Sequence, residues 1–173
     1  MRVIAGSARG RRLLAVPGSG TRPITDRAKE ALFSILSGEI VGSRVLDLFA
    51  GTGGVGIEAL SRGAAWCDLV DRSPAAVRTM ASNLERTGLG ERARVWRRDV
   101  FEWLARPGGR AYDLVYVAPP QYRGLWLRTV RALPGSCGVL VPGGLVVAQI
   151  DPREEEPVGA PGLERVDDRR YGG

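Results

Sequence analysis

From Gly42 onward the apolar residues alternate between short continuous runs and helical spacing. Arg44–Phe49 is an apolar run broken only by Asp47, and it predicts a buried strand. Gly53–Ser61 reads as a helix, and Cys67–Val70 as a second strand ending at Asp71. Ser73-Pro74 supplies an N-cap and a first-turn proline for a helix reaching about Thr87. Arg94–Arg97 is a third strand, and Asp99 to Glu102 has the spacing of a capping box opening a short helix. Tyr112–Val117, a helix around Leu125–Leu133 and a strand at Leu145–Ile150 continue the alternation, with Glu164–Arg169 as a weaker last strand. Strand–helix alternation of this kind specifies an α/β protein, its sheet mostly parallel, doubly wound and covered on both faces.

The first 42 residues follow another pattern. Val3-Ile4-Ala5 and Leu13-Leu14-Ala15-Val16 flank Gly6-Ser7-Ala8-Arg9-Gly10, which predicts a hairpin with a basic turn, standing apart from the main sheet. Pro17-Gly18-Ser19-Gly20 is a loop. Thr25 or Asp26 can then cap a helix whose apolar positions are Ala28, Ala31, Leu32, Ile35 and Leu36. The expected organisation is a basic N-terminal piece, residues 1–24, on a main domain, 25–173. Asp151–Pro161 reads as an acidic, proline-rich loop.

At 173 residues the chain is long enough for one domain with a real core. No apolar run approaches the roughly 20 residues of a membrane span, and the N-terminal stretch lacks the apolar centre of a signal peptide. Cys67 and Cys137 each sit in an apolar pattern, as buried thiols of a reducing, cytoplasmic compartment rather than a disulfide or metal pair. The chain has no histidine, which removes the commonest general base and metal ligand, and no metal is expected. The net charge of +6 points to an anionic partner, although an arginine-rich composition also arises without one. Its distribution is more informative, because residues 1–29 place Arg2, Arg9, Arg11, Arg12, Arg22, Arg27 and Lys29 against one acid, Asp26.

Gly51-Thr52-Gly53-Gly54-Val55-Gly56 follows a strand and opens a helix, and Asp71 lies 20 residues beyond Gly51. As written this is a dinucleotide-binding fingerprint. Asp47, just ahead of the glycines, argues for another ligand: it would repel a pyrophosphate and attract a cationic amine. S-adenosylmethionine (SAM) carries an amino group and a sulfonium and no phosphate. In that reading Asp71 takes the ribose hydroxyls. Asp99 caps a helix and also stands where an adenine amine would lie. No group suited to acid catalysis of hydride transfer is visible.

VLDLFAGTGGVGIEALSRGA, VDRSPAAVRTMASNL, RRDV and the Ala118-Pro119-Pro120 turn together resemble a class I SAM-dependent methyltransferase. MRVIAGSARGRRL and TRPITDRAKEALFSIL narrow this to a resemblance to the RsmD family of bacterial 16S rRNA guanine-N2 methyltransferases, over residues 1 to about 150. The resemblance implies a seven-strand sheet, SAM as cofactor and a guanine amine of small-subunit rRNA, naked or in an assembling subunit, as acceptor for a monomeric enzyme. It places Asp47, Ala50, Gly51, Thr52 and Gly53 around methionine and ribose, Asp71 and Arg72 at the ribose, and Asp99 and Val100 at the adenine. Thr21-Arg22-Pro23 would close over cofactor and target, with Arg22 touching both, while Arg9, Arg11 and Arg12 would grip phosphates.

Two departures stand out. The family places Asp or Asn before Pro-Pro and an aromatic directly after; here the run is Ala118-Pro119-Pro120-Gln121-Tyr122. The carbonyls of Ala118 and Pro119, with the Gln121 side chain, are the expected replacements as acceptors for the amine, and Tyr122, then Trp126, the expected base stackers. The sequence also ends at RRYGG, before the family's expected final strand. A non-catalytic RNA-binding module of this fold, and a methyltransferase for another amine (adenine N6 or a protein), remain open at this point.

Overall fold

The strand runs become the middle of one sheet because they are apolar on both faces. The computed structural model describes residues 1–18, 24–136 and 138–170. In chain order it contains α1 (Asp26–Ile35), β1 (Arg44–Leu48), α2 (Gly54–Ser61), β2 (Trp66–Asp71), α3 (Pro74–Thr87), β3 (Ala93–Arg97), α4 (Val100–Ala105), β4 (Tyr112–Val117), α5 (Leu125–Ala132) and β5 (Leu140–Ala148). The five strands are parallel, in the order β3-β2-β1-β4-β5. Within β1, Val45, Leu46 and Leu48 are fully buried, as expected of a central strand covered on both sides.

One face carries α2 and α3, with Ile57, Leu60, Leu69, Met80 and Leu114 in its core. The other packs Leu46, Val70, Trp103, Tyr112 and Val115. Gly56 makes the first layer possible: a Cβ there would stand 2.7 Å from the Cys67 sulfur, so α2 approaches β2 closely only with glycine at this position. A smaller cluster of Trp126, Leu127, Val130 and Ala160 sits under α5. Buried Asp68 interrupts β2, where it accepts from Trp66 Nε1 at 2.7 Å, Trp96 Nε1 at 2.6 Å and the Tyr112 hydroxyl at 2.7 Å. Three donors satisfy a carboxylate that would otherwise be costly to bury.

Several expectations are corrected. The described residues hold five strands rather than seven, and 164–170 form none. That stretch and Glu155 are occupied by local ion pairs such as Arg165–Glu155 at 3.0 Å and Arg169–Asp167 at 2.8 Å, and its charge density leaves little to bury. β5 begins at Leu140 rather than Leu145, because Pro142-Gly143-Gly144 is absorbed as an irregularity of the β4–β5 pairing and not as a turn. In α1, capped by Thr25 Oγ1 accepting from Ala28 N, Ile35 is exposed and Lys29 and Phe33 are buried instead.

The N-terminal segment makes an isolated Arg2–Arg12 bridge and pairs with no strand of the sheet. It is nevertheless part of the core, through Val3, Ala8 and Leu13. Ile4 N and Ala5 N donate to Glu58 at 2.8 and 3.0 Å, and Ala8 N donates to Ser61 Oγ at 3.0 Å. Gly6 has φ +82°, and any Cβ would overlap the Ser61 carbonyl, so the chain passes against the end of α2 only as glycine. Fully buried Glu58 also pairs with buried Lys29 at 3.3 Å and with Arg62 at 2.8 Å. Burial pushes the Lys29 ammonium below the usual lysine range, and Glu58 partly restores it.

Candidate active site

Chain order reverses between β1 and β4. From β1 the chain winds outward through β2 and β3; β4 and β5 lie on the other side. In open α/β sheets the carboxyl ends of the strands at such a switch point form the ligand crevice. The two non-glycine residues with positive φ among the described residues flank it, Phe49 (φ 62°) after β1 and Tyr122 (φ 60°) after β4. Backbone in this region is costly for non-glycine residues and gathers at functional sites.

On the β1 side, Ala50 N donates to Val70 O at 3.1 Å and Gly53 N to Ala50 O at 2.7 Å, which folds residues 50–53 into a tight loop before α2. Gly51 and Gly53 have φ of 56° and 74°. Asp71 closes the loop from β2: one carboxylate oxygen accepts from Gly51 N at 2.9 Å, the other from Ser73 N at 2.8 Å. Each oxygen keeps a further acceptor position, so the half-exposed carboxylate retains capacity for a ligand's hydroxyls. Thr52 is buried and hands its carbonyl to Asn83 Nδ2 at 2.9 Å, while Arg72 is exposed at the rim.

Asp47 lies beneath the loop, 2% exposed, with Oδ2 accepting from Gly56 N at 3.0 Å. Burial pushes its carboxyl up to about 7, the Gly56 bond opposing and Asp71 adding to the rise. A cation brought to it would restore the carboxylate, and a phosphate would find only repulsion. Asp99 follows β3, two strands away, where it caps α4 by accepting from Phe101 N at 2.9 Å; Val100 beside it is buried. Arg98 N donates to Asp71 O at 3.1 Å, so the ends of β2 and β3 stay paired and Asp71 and Asp99 share one rim. Asp47, Ala50, Gly51, Thr52, Gly53, Asp71, Asp99 and Val100 thus line the carboxyl ends of β1, β2 and β3. Arg22, with the rest of Thr21-Arg22-Pro23, lies outside the described residues, as does Cys137.

On the β4 side, Ala118 is half-buried against the α2 layer and Pro119 opens the turn. Gln121 is exposed. Tyr122, 58% exposed, is held by the segment after β5: its N–H donates to Glu154 at 2.6 Å, its hydroxyl donates to Asp151 at 2.7 Å, and the Arg153 guanidinium sits 5.3 Å from its ring centre. Asp151 raises the Tyr122 hydroxyl above the usual phenol range by accepting its hydrogen bond. Trp126, expected as a second stacker, is 4% exposed, its ring in the α5 cluster and its Nε1 on Glu154 O at 3.1 Å; it presents no free face.

Sequence reading missed one neighbour of this turn. Gln149 N donates to Val117 O at 2.9 Å, which extends the β4–β5 pairing one residue beyond Val117↔Ala148 and puts Gln149 beside Ala118. The Tyr116 hydroxyl donates to Gln149 Oε1. A polar residue ending an apolar strand is the only local signal, and it reads as a strand end.

Arg9, Arg11 and Arg12 are exposed on the N-terminal segment. Arg11 reaches the Arg86 carbonyl at 3.4 Å, and Leu14 exchanges two hydrogen bonds with the Asn83 amide, at 2.7 and 3.1 Å. Asn83 therefore ties this basic segment to the Thr52 carbonyl of the glycine loop. Among the described residues no group of acids and cysteines could hold a metal ion, and no helix is long and apolar enough to cross a membrane.

The sheet order, the glycine loop and the acids at successive strand ends define a class I methyltransferase of Rossmann-like fold. Comparison with known proteins agrees. Residues 1–173 match the family described as Conserved hypothetical protein 95. The chain is 42% identical over 159 residues to the candidate rRNA methyltransferase YlbH of Bacillus subtilis, spanning 91% of this chain and 86% of that one. It is 40% identical over 133 residues to Ribosomal RNA small subunit methyltransferase D of Escherichia coli, covering 77% of this chain and 66% of that protein. Among solved structures, the candidate methyltransferase yhhF of Escherichia coli superposes with a TM-score of 0.76 at 38% identity, over 86% and 78% of the two chains. The chain belongs to the RsmD family of rRNA methyltransferases.

Proposed function

We propose that this protein transfers a methyl group from SAM to the exocyclic N2 amine of a guanine in small-subunit rRNA. The observation that carries the reading is the pairing, across one switch point, of a glycine loop floored by buried Asp47 with the Ala118–Tyr122 turn. The loop side fits SAM group by group. Asp47 suits the methionine amine and Asp71 the ribose hydroxyls; Asp99 and Val100 suit the adenine, with Ala50, Gly51, Thr52, Gly53 and Arg72 completing the wall.

When bound, SAM supplies an electrophilic methyl: the amine lone pair forms the N–C bond, the C–S pair returns to sulfur, and the surplus proton leaves to water. The chain's task is alignment. Acceptors at the turn, the carbonyls of Ala118 and Pro119 among them, hold the amine N–H groups so that the lone pair faces the methyl. Tyr122 presents a ring for an unstacked base, and Arg9, Arg11 and Arg12 grip phosphates as part of a basic 1–24 segment. Guanine N2 is favoured over other amines by family membership rather than by a specific contact.

The test is methyl incorporation from labelled SAM into small-subunit rRNA or subunits lacking the modification, with nucleoside analysis of the product. Label in N2-methylguanosine supports the reading; intact SAM binding without incorporation refutes it. Ala118 favours one rival, a non-catalytic RNA-binding module, which would bind rRNA with a steep salt dependence and never turn over.

A further inference from the structure

The residue ahead of the two prolines is alanine, so that position carries no side-chain acceptor, and Gln121 beyond the prolines is exposed. The structure brings one in from the next strand. β4 and β5 pair as Tyr116↔Val147 and Val117↔Ala148, and the Gln149 N to Val117 O bond at 2.9 Å continues that pairing by one step. Gln149 is therefore the cross-strand neighbour of Ala118. Strands in a sheet lie about 4.8 Å apart and neighbouring side chains point to the same face. Tyr116, Ala118 and Gln149 consequently share the face on which Asp47, the β1 partner of Tyr116, sits below the glycine loop.

The Gln149 side chain is oriented. Tyr116, 3% exposed, donates its hydroxyl to Gln149 Oε1. Burial, with Asp47 adding to it, holds that phenol far above its usual range, so it remains a donor. Tyr116 and Gln149 are diagonal neighbours, a separation that an aromatic and a long side chain can span. The hydroxyl uses one lone pair of Oε1; the second is free for an N–H, and the Nε2 group offers two donors. Gln149 itself is exposed at the crevice, on the side of Ala118 away from the glycine loop.

We propose that Gln149, oriented by Tyr116, contacts the target base and accepts an N–H of the reacting amine in place of the side chain that Ala118 lacks. Gln149 is then a catalytic residue just past the end of β5, and Tyr116 a positioning residue. The polar group has moved one strand sideways and gained one methylene, which helps bridge the distance between strands. The inference rests on the methyltransferase reading above, and its tests separate the two.

The experiment is steady-state methyl transfer to unmethylated small-subunit RNA by the full chain and by Gln149→Ala, Tyr116→Phe, Ala118→Asp and the Ala118→Asp/Gln149→Ala double variant. Calorimetric titration with S-adenosylhomocysteine runs in parallel. Gln149→Ala is expected to lower kcat by about 100-fold, the scale of one lost polar contact to a reacting group, with S-adenosylhomocysteine affinity unchanged. Tyr116→Phe should give a smaller loss, because the carboxamide remains but is free to turn. Ala118→Asp should do little alone and restore most of the activity of Gln149→Ala, since one acceptor suffices. A Gln149→Ala enzyme at full rate overturns the inference and leaves the proposed function standing. So does an Ala118→Asp effect of equal size with and without Gln149. A wild-type protein that methylates no RNA overturns both.

Discussion

Replacing Asp47 by Asn should stabilise the protein and disable it. The carboxyl is 2% exposed, and burial pushes its pKa from 3.8 to about 7. In the unfolded chain it titrates near 3.8. Between these values the folded state holds a proton that the unfolded state has released. Stability therefore falls as pH rises from about 4 to about 7, and stays lower above that. At 1.36 kcal/mol per pH unit the fall amounts to about 2 kcal/mol between pH 5 and pH 7. Asparagine has no such proton and still offers an oxygen to Gly56 N, now 3.0 Å from the carboxylate. Its amide protons need partners, which offsets part of the gain, so a net increase of about 1–2 kcal/mol at pH 8 is expected. Urea unfolding of both proteins at pH 5, 6, 7 and 8, with m-values checked for constancy, measures this directly. The variant should lie about 1 kcal/mol below the wild type at pH 5 and above it at pH 8, while losing affinity for SAM because the floor of the site carries no charge for the amine. Parallel pH profiles for the two proteins would refute the reasoning, and so would undiminished SAM binding by the variant.

Three further outcomes follow from the same geometry. Glu58→Leu leaves Lys29 buried without its anion and strips acceptors from Ile4 N and Ala5 N, so it should cost about 3–5 kcal/mol in urea unfolding, and adding Lys29→Met should recover part of that loss. Tyr122→Ala should lower kcat/KM for RNA while Tyr122→Phe retains most of it, because the role proposed above belongs to the ring and not to the Asp151-bound hydroxyl; equal losses would assign the function to the hydroxyl. Arg9→Ala, Arg11→Ala and Arg12→Ala should each weaken RNA binding without regard to sequence and shrink the slope of log K against log salt by about 0.7–0.9, measured by fluorescence anisotropy.

What the sequence revealed and what it hid divide along a physical line. Strands β1, β2 and β4 were legible because burial on both faces demands unbroken apolar runs, and α3 because Ser73, Pro74 and Gly88 punctuate it locally. The glycine loop and Asp71 were legible because their spacing is fixed by one strand–loop–helix unit. The hidden features are polar groups whose partners are distant in sequence. Lys29 counts in the sequence only as one charge of the basic N-terminal stretch, since nothing near it announces Glu58; Asp68 carries no local signal, since its donors arrive from β3 and β4 as well as from Trp66. Gln149 has the same character, its meaning supplied by Ala118 on another strand. β5 was shortened because Pro142-Gly143-Gly144 carries turn residues that this edge strand absorbs as an irregular register.

Methyl transfer without a covalent enzyme intermediate places its whole demand on alignment, and this gives the costly buried polar groups a common explanation. Near-attack geometry is lost with displacements of about 1 Å, so the segment proposed above to grip RNA must be fixed relative to the loop proposed to hold the methyl donor. The N-terminal segment makes no strand pairing with the sheet that could fix it there. It is seated instead by Glu58 and Ser61 of α2, the helix that the glycine loop opens, and by Asn83, whose amide bonds Leu14 on one side and Thr52 of that loop on the other. Apolar contacts alone would seat the segment with comparable strength but would tolerate sliding, because the hydrophobic effect is non-directional. Hydrogen bonds to fully buried side chains fix register as well as contact, since slipping by one residue leaves donors unpaired at a cost of about 1–3 kcal/mol each. The same reasoning applies across the switch point, where the Tyr116–Gln149 bond and the Tyr122–Asp151 bond set the β4 turn against β5. Both walls of the crevice are thus held by directional contacts, and the apolar layers beneath supply the stability that those contacts do not.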